Sequence, residues 1–325
     1  MYHVGIDVSK AKLDVCLLSQ DINGKRKNKS LPNNHQSAAK LIEWLILQKC
    51  SLEQTYVVME ATGVYHEILL YALHNEGLHV SLANPARVRS FTRGMDILTK
   101  NDGVDAYAIA CYSLLKRPDK WTPPPEEVCI LKALLRHRDA LMEDVLRVRN
   151  RYEKAGSTTT SPIVLASLVK IRTQLEAELA EIERLISEHI DNHPGLKDDM
   201  KLLNSIKAVG PQLGRNMLVI LRSYHFTSAE QVAAYLGVVP IERQSGSSVR
   251  GRPKLSKAGP SDMRKKLFMA ALTAIKYNPH IKAHYERLTG QGKSKMSALG
   301  AAMRKLVHLC YGVLHTQKNY DENYA

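Results

Sequence analysis

The sequence lacks any paired cysteine motif. Its five cysteines (Cys16, Cys50, Cys111, Cys129 and Cys310) are scattered and odd in number, with no CxxC pair. That argues against a disulfide framework or a zinc module and for a reducing compartment. Also missing is any apolar run approaching the ~20 residues of a membrane helix, and Asp7 and Lys10 already interrupt the first ten residues. The expectation is a cytoplasmic protein with no signal peptide and no membrane span. Acidic residues are scarce in the last third. From Pro240 to Ala325 there are 16 Lys and Arg against 5 Asp and Glu, so +11 of the formal net charge of +14 lies there (16 − 5). Such a surplus points to a polyanionic partner.

The chain has 325 residues, 44% of them hydrophobic, enough for two domains with real cores. Residues 2–7 and 13–18 read as strands, and the polar stretch 21–30 as a candidate third. A helical spacing covers 37–49. Tyr56-Val-Val-Met59 is a buried-type strand ending at Glu60, followed by a helix over 64–75, a strand near 78–82 and a helix from Pro85. Strands first, then alternation with helices, predict an α/β layer with a mixed sheet.

A long helix is predicted from Glu127 to about Ala155. Over 163–190, Leu168, Ile171, Leu175, Ile182 and Leu185 fall on heptad positions. A helix of that length spans about 42 Å, which favours coiled-coil pairing with another helix and a dimer contact. Residues 203–214 read as a helix-hairpin-helix turn around Gly210, and Thr227 with Glu230 as a capping box for a helix over 228–236. Basic helices follow over 261–276, 279–288 and 295–315.

Two stretches carry chemistry. The first is a glycine-punctuated loop with Ser245, Ser247 and Ser248 among Arg243, Arg250, Arg252, Lys254 and Lys257. Guanidinium and ammonium groups favour a phosphate partner. A serine among them either hydrogen-bonds phosphate passively or attacks phosphorus. The second is a set of carboxylates at predicted strand ends and a helix start: Asp7, Glu60, Asp102 and Asp105. Two carboxylates ~4 Å apart repel by about 4 kcal/mol at an effective dielectric near 20. One or two Mg²⁺ ions would offset that repulsion and clamp the oxygens of a phosphoryl transfer. This arrangement describes a ribonuclease-H-like site.

Gly5-Ile-Asp-Val-Ser-Lys10, Met59-Glu-Ala-Thr-Gly-Val-Tyr65, Asn84-Pro85, Lys100-Asn-Asp-Gly-Val-Asp-Ala106 and Ser245-Gly-Ser-Ser-Val-Arg-Gly251 through Ser256-Lys-Ala-Gly259 together resemble the DEDD insertion-sequence transposases. That is the IS one-ten family, related to the Piv invertases and including the bridge-RNA-guided recombinases. The motifs occur in family order over nearly the whole chain. The resemblance implies a RuvC-like catalytic domain over 1–155, a coiled-coil or linker helix over 156–200, and a mainly α transposase domain over 201–325. It implies that Asp7, Glu60, Asp102 and Asp105 hold Mg²⁺, that Ser245 is the nucleophile, and that Ser247 and Ser248 are phosphate or backbone ligands. The family's usual Thr before the first helix Asp is Asn101 here. Further implied are donor and target DNA, a noncoding bridge RNA, and a homodimer or tetramer whose active sites combine acids of one subunit with serine of another. The leading alternative is a RuvC-type metal-dependent endonuclease or resolvase using water. A sugar-kinase-like ATPase and a non-enzymatic nucleic-acid binder are weaker readings.

Overall fold

The computed structural model describes residues 1–19, 24–61, 63–95, 101–245 and 249–322, with backbone alone for 242–245 and 249–253. Among the described residues no helix is long and apolar enough to cross a membrane. The chain divides into two compact units, Met1–Pro123 and Pro124–Ala325.

In the first unit, β1 (Tyr2–Val8), β2 (Lys12–Ser19) and β3 (Arg26–Pro32) form an antiparallel meander. Then come α1 (Ser37–Leu47), β4 (Thr55–Glu60), α2 (Glu67–Asn75), β5 (His79–Ala83), α3 (Pro85–Arg93) and α4 (Asp102–Lys116). The sheet order is β3-β2-β1-β4-β5, with β4 parallel to β1 and β5 parallel to β4. This is the ribonuclease-H-like, RuvC-like topology expected of the N-terminal domain.

Alternation along the strands sorts side chains between two layers. Val4, Ile6, Val8, Leu13, Val15, Leu17, Val57 and Met59 meet Leu41, Trp44, Leu45, Leu69, Leu70 and Leu73 of α1 and α2. On the other face, Cys16 and Leu18 meet Ala106, Ala110 and Cys111 of α4. Val58 and Ala83 meet Val88, Ile109 and Tyr112 there. Gly5 sets how closely α4 approaches. A Cβ at Gly5 would lie 2.2 Å from the Ala106 carbonyl oxygen and 2.2 Å from the Ala110 nitrogen. Backbone therefore rests on backbone where β1 crosses α4.

The second unit is mainly helical. It contains α5 (Glu126–Gly156), α6 (Pro162–Asp191), α7 (Pro194–Asn204), α8 (Pro211–Ser223) and α9 (Ala229–Tyr235). A two-stranded antiparallel sheet, β6 (Pro240–Ser245) and β7 (Val249–Leu255), precedes α10 (Ser261–Tyr277), α11 (Pro279–Gly290) and α12 (Lys295–Thr316). One core joins Leu131 and Leu135 of α5, Ile186 of α6, Met217 of α8, Leu267 of α10 and Leu306 of α12.

The observed elements refine two expectations and replace one cap. Residues 124–155 lie in the second unit, because α5 shares its buried stripe with α6 and α8. The partner of α6 within the chain is α5. Arg149 Nη2 donates to Glu176 Oε1 at 2.7 Å and Arg138 Nε to Glu183 Oε1 at 2.6 Å, so the two helices run antiparallel. The buried residues of α6 are Ile182, Ile186 and Ile190, while Ile171 is 42% exposed and Ile163 80%. The cap of α9 is Ser228 rather than Thr227. Its hydroxyl accepts from Gln231 N–H, and the Gln231 side chain accepts from Thr227 N–H at 3.0 Å.

Candidate active site

The topology brings the ends of β1 and β4 and the start of α4 towards one another. Asp7 is the penultimate residue of β1 and shares the α4 face with Gly5. In the parallel register Ile6 pairs with Met59, so Asp7 and Glu60 follow side by side at the ends of β1 and β4. Alternation puts Glu60 on the face of Val58, which also packs towards α4. The α4 helix starts beside them. Its N-cap is Asn101, whose Oδ1 accepts from Val104 N–H at 2.9 Å. A threonine would cap in the same way, so the Asn101 departure leaves the helix start intact. Asp102 and Asp105 lie in the first turn, three apart and on one side.

Electrostatics report the proximity. Burial pushes the half-buried Asp7 carboxyl above its ordinary range, and the like charges of Asp105, Asp102 and Asp14 raise it further. Asp7, Asp102 and Asp105 are therefore brought together, and a fifth acid, Asp14, joins them. It lies opposite Asp7 in the β1–β2 register. The Lys12 ammonium donates to Asp14 Oδ2 at 2.9 Å and lies 3.5 Å from Asp102 Oδ2. Sequence reading missed both Lys12 and Asp14. The signal was the strand alternation, which puts Asp14 on the Cys16 face, but only the antiparallel register sets it against Asp7.

Among the described residues, no three acids stand close enough to form a ready-made metal cage. The donor chemistry fits a hard divalent cation nonetheless. Carboxylate oxygens are the ligands such an ion takes, and Asp7 faces a surplus of negative charge that a cation would relieve.

On either side of residues 246–248, which lie outside the described residues, the serine stretch is paired strand, β6 with β7. Ser245 ends β6 opposite Val249, Arg243 pairs with Gly251 and Gln244 with Arg250, with an irregular register between Ile241 and Arg243. The side chains of Arg243, Ser245, Arg250 and Arg252, and all of Ser247 and Ser248, lie outside the described residues. Lys254 and Lys257 are exposed. The base of the β6–β7 pair is fixed by backbone contact. Ser256 N–H donates to Val239 carbonyl at 2.9 Å and Lys257 N–H to Gly237 carbonyl at 3.2 Å. A Cβ at Gly259 would lie 2.0 Å from the Tyr235 carbonyl oxygen, so the glycine of Ser256-Lys-Ala-Gly259 is a packing requirement.

Two family models match the chain. A DEDD IS110 model described as "Transposase" matches residues 4–155. A second model, "Transposase IS116/IS110/IS902 family", matches residues 200–286. The chain is 26% identical over 327 residues to the pilin gene-inverting protein of Moraxella lacunata, covering 98% of each. It is 24% identical over 165 residues to the IS110 uncharacterized 43.6 kDa protein of Streptomyces coelicolor, covering 50% of this chain and 40% of that one. Among solved structures, T. thermophilus RuvC in complex with Holliday junction substrate matches 36% of this chain and 96% of its own, at 14% identity and a TM-score of 0.28. With both transposase models matched in order along it, the chain belongs to the IS110 family of DEDD transposases and is a DNA-processing enzyme.

Proposed function

We propose that this transposase is a site-specific recombinase in which Ser245 attacks a scissile phosphate held at Asp7, Glu60, Asp102 and Asp105. The observation that carries the reading is the acid cluster, where the charges of Asp105 and Asp102 act on a half-buried Asp7. Like charges gathered in this way favour binding of a further cation. Mg²⁺ bound there would draw charge from the phosphate as the transition state forms. Asp7 and Glu60 would hold their oxygens from rigid strand ends, and Asp102 and Asp105 from a capped helix start.

In the cleavage step the Ser245 Oγ–P bond forms and the P–O bond to one strand breaks. The serine proton goes to solvent or a carboxylate, and the departing strand oxygen takes one up. A hydroxyl of a partner strand then attacks the ester, restores the serine and joins the strands, with no external energy source. Arg243, Arg250, Arg252, Lys254 and Lys257 would grip phosphates on either side, with Ser247 and Ser248 as further phosphate ligands. The match to pilin gene-inverting proteins over 98% of the chain supports exchange between specific sites.

Two partners complete the reading. A noncoding bridge RNA paired to donor and target DNA follows from the family resemblance and is compatible with the basic last third. A second copy would supply Ser245 to the acids of the first, in a dimer or tetramer held by the exposed apolar residues of the α5–α6 hairpin. The setting is cytoplasmic.

The test is an end-labelled linear duplex carrying both sites, incubated with the enzyme and run on denaturing gels. The wild type should give a protease-sensitive, retarded protein–DNA band in Mg²⁺ and none in EDTA. Ser245→Ala should bind nucleic acid normally and give no band. If Ser245→Ala keeps the band and a Ser247 or Ser248 variant loses it, the nucleophile is another serine. If strands are cut with no adduct at all, water attacks and the enzyme is a RuvC-type endonuclease.

A further inference from the structure

Lys12 and Asp14 belong to no part of the transposase motif set, yet they stand inside the acidic site. Lys12 opens β2 immediately after the β1–β2 turn, and Ser9 fixes that turn from both sides. The Ser9 hydroxyl donates to the Lys12 carbonyl at 2.8 Å and accepts from the Lys12 N–H at 3.2 Å. From this pinned backbone the ammonium reaches Asp14 at 2.9 Å and Asp102 at 3.5 Å. Asp14 is partly buried, its side chain 16% exposed, whereas the Lys12 side chain is 47% exposed. Anchor and cation thus differ in freedom. Asp14 is held by the strand and by its register with Asp7, while the ammonium can move.

An exposed lysine–carboxylate pair by itself contributes about 0–1 kcal/mol and needs no function. This pair is not isolated. It bridges a carboxylate of β2 to one at the start of α4, within a set where like charges already act on Asp7. A single positive charge lying between two acids is in competition with any other cation drawn to them.

We propose that Lys12, anchored on Asp14, is the resident counter-cation of the acidic site, bridging to Asp102 in the metal-free protein and releasing Asp102 when a divalent cation binds. The inference rests on the metal reading above. It gives the site a threshold: a divalent ion binds only by displacing a charge the protein itself supplies. In the metal-free state the same charge keeps the first turn of α4 tied to β2.

Mn²⁺ alone is the probe, titrated into the full chain without nucleic acid and followed by calorimetry and by the paramagnetic signal of the free ion. Thermal unfolding in EDTA is the second readout. Lys12→Gln should bind Mn²⁺ about three- to tenfold more tightly, since the competing cation is gone. It should also unfold a few degrees lower in EDTA. Lys12→Arg should stay near wild type in both. Asp14→Asn frees the ammonium to compete for Asp102 and also removes a carboxylate charge from the site, so affinity should fall, and the fall should be smaller in the Lys12→Gln background. Lys12→Gln binding Mn²⁺ no more tightly than wild type removes the Lys12 role and leaves the metal reading standing. A wild type that binds no Mn²⁺ overturns both.

Discussion

At the scale of single residues, the first unit contains a buried base the chemistry does not use. His3 is 1% exposed, its Nδ1 lies 3.0 Å from the Ser113 hydroxyl, and its ring stacks on Tyr56. Burial, then the charges of Arg117 and the N-terminus, lowers its pKa from 6.5 to about 4. The folded chain keeps His3 neutral where the unfolded chain takes up a proton, so unfolding binds a proton between those values. The stability this contributes is complete above pH 6.5 and is lost as pH falls towards about 4. Urea unfolding at a series of pH values should show that acid-side loss in the wild type and a flatter dependence in His3→Gln. Parallel curves for the two proteins would exclude His3 as the cause. The residue scale also explains why Gly5 sits in the Gly5-Ile-Asp motif. It lets α4, the helix that carries Asp102 and Asp105, touch β1.

At the scale of elements, the α5–α6 hairpin has two regions with different packing. Towards the unit's core, Ile182, Ile186 and Ile190 are buried beside Leu131 and Leu135. Further out, Leu146, Ile163, Val164 and Ile171 stay 42–80% exposed. The two regions predict different mutant behaviour. Ile186→Ala should cost about 2–4 kcal/mol of stability and leave subunit mass alone. Val164→Glu with Ile171→Glu should cost little stability and shift light-scattering mass to smaller species, with strand transfer lost in parallel. Unchanged mass would return the outer half of the hairpin to a monomer's surface. The heptad pattern identified α6 as a helix needing a partner, but a stripe of leucines and isoleucines does not say which helix covers it. The partner over its inner half is α5, a neighbour in sequence joined through a short connection.

At the scale of the whole molecule, the charge distribution separates two tasks. Carboxylates gather at the end of one sheet in the first unit, while +11 of the formal charge follows Pro240. A basic segment of this kind binds nucleic acid largely through counterion release, so affinity should fall steeply with salt. Protein produced with its native flanking DNA should carry a discrete RNA, and ribonuclease should stop recombination while general DNA binding persists. RNA-free protein recombining specific sites unaided would exclude a guide.

The sequence by itself determined most of the element types and marked the acids of the motif as candidates. Strand alternation and helical period act between residues close in the chain, so they are legible there. It also determined the family, because the motifs occur in order over most of the length. Only the tertiary structure decided that Asp14 and Lys12 enter the acidic site and that α5 belongs with the helical unit. It alone paired β6 with β7 and anchored their base at Gly237 and Gly259. Those outcomes depend on strand register and on backbone approach between segments far apart in sequence. A one-residue change of register would send Asp14 to the opposite face while leaving every local pattern the same.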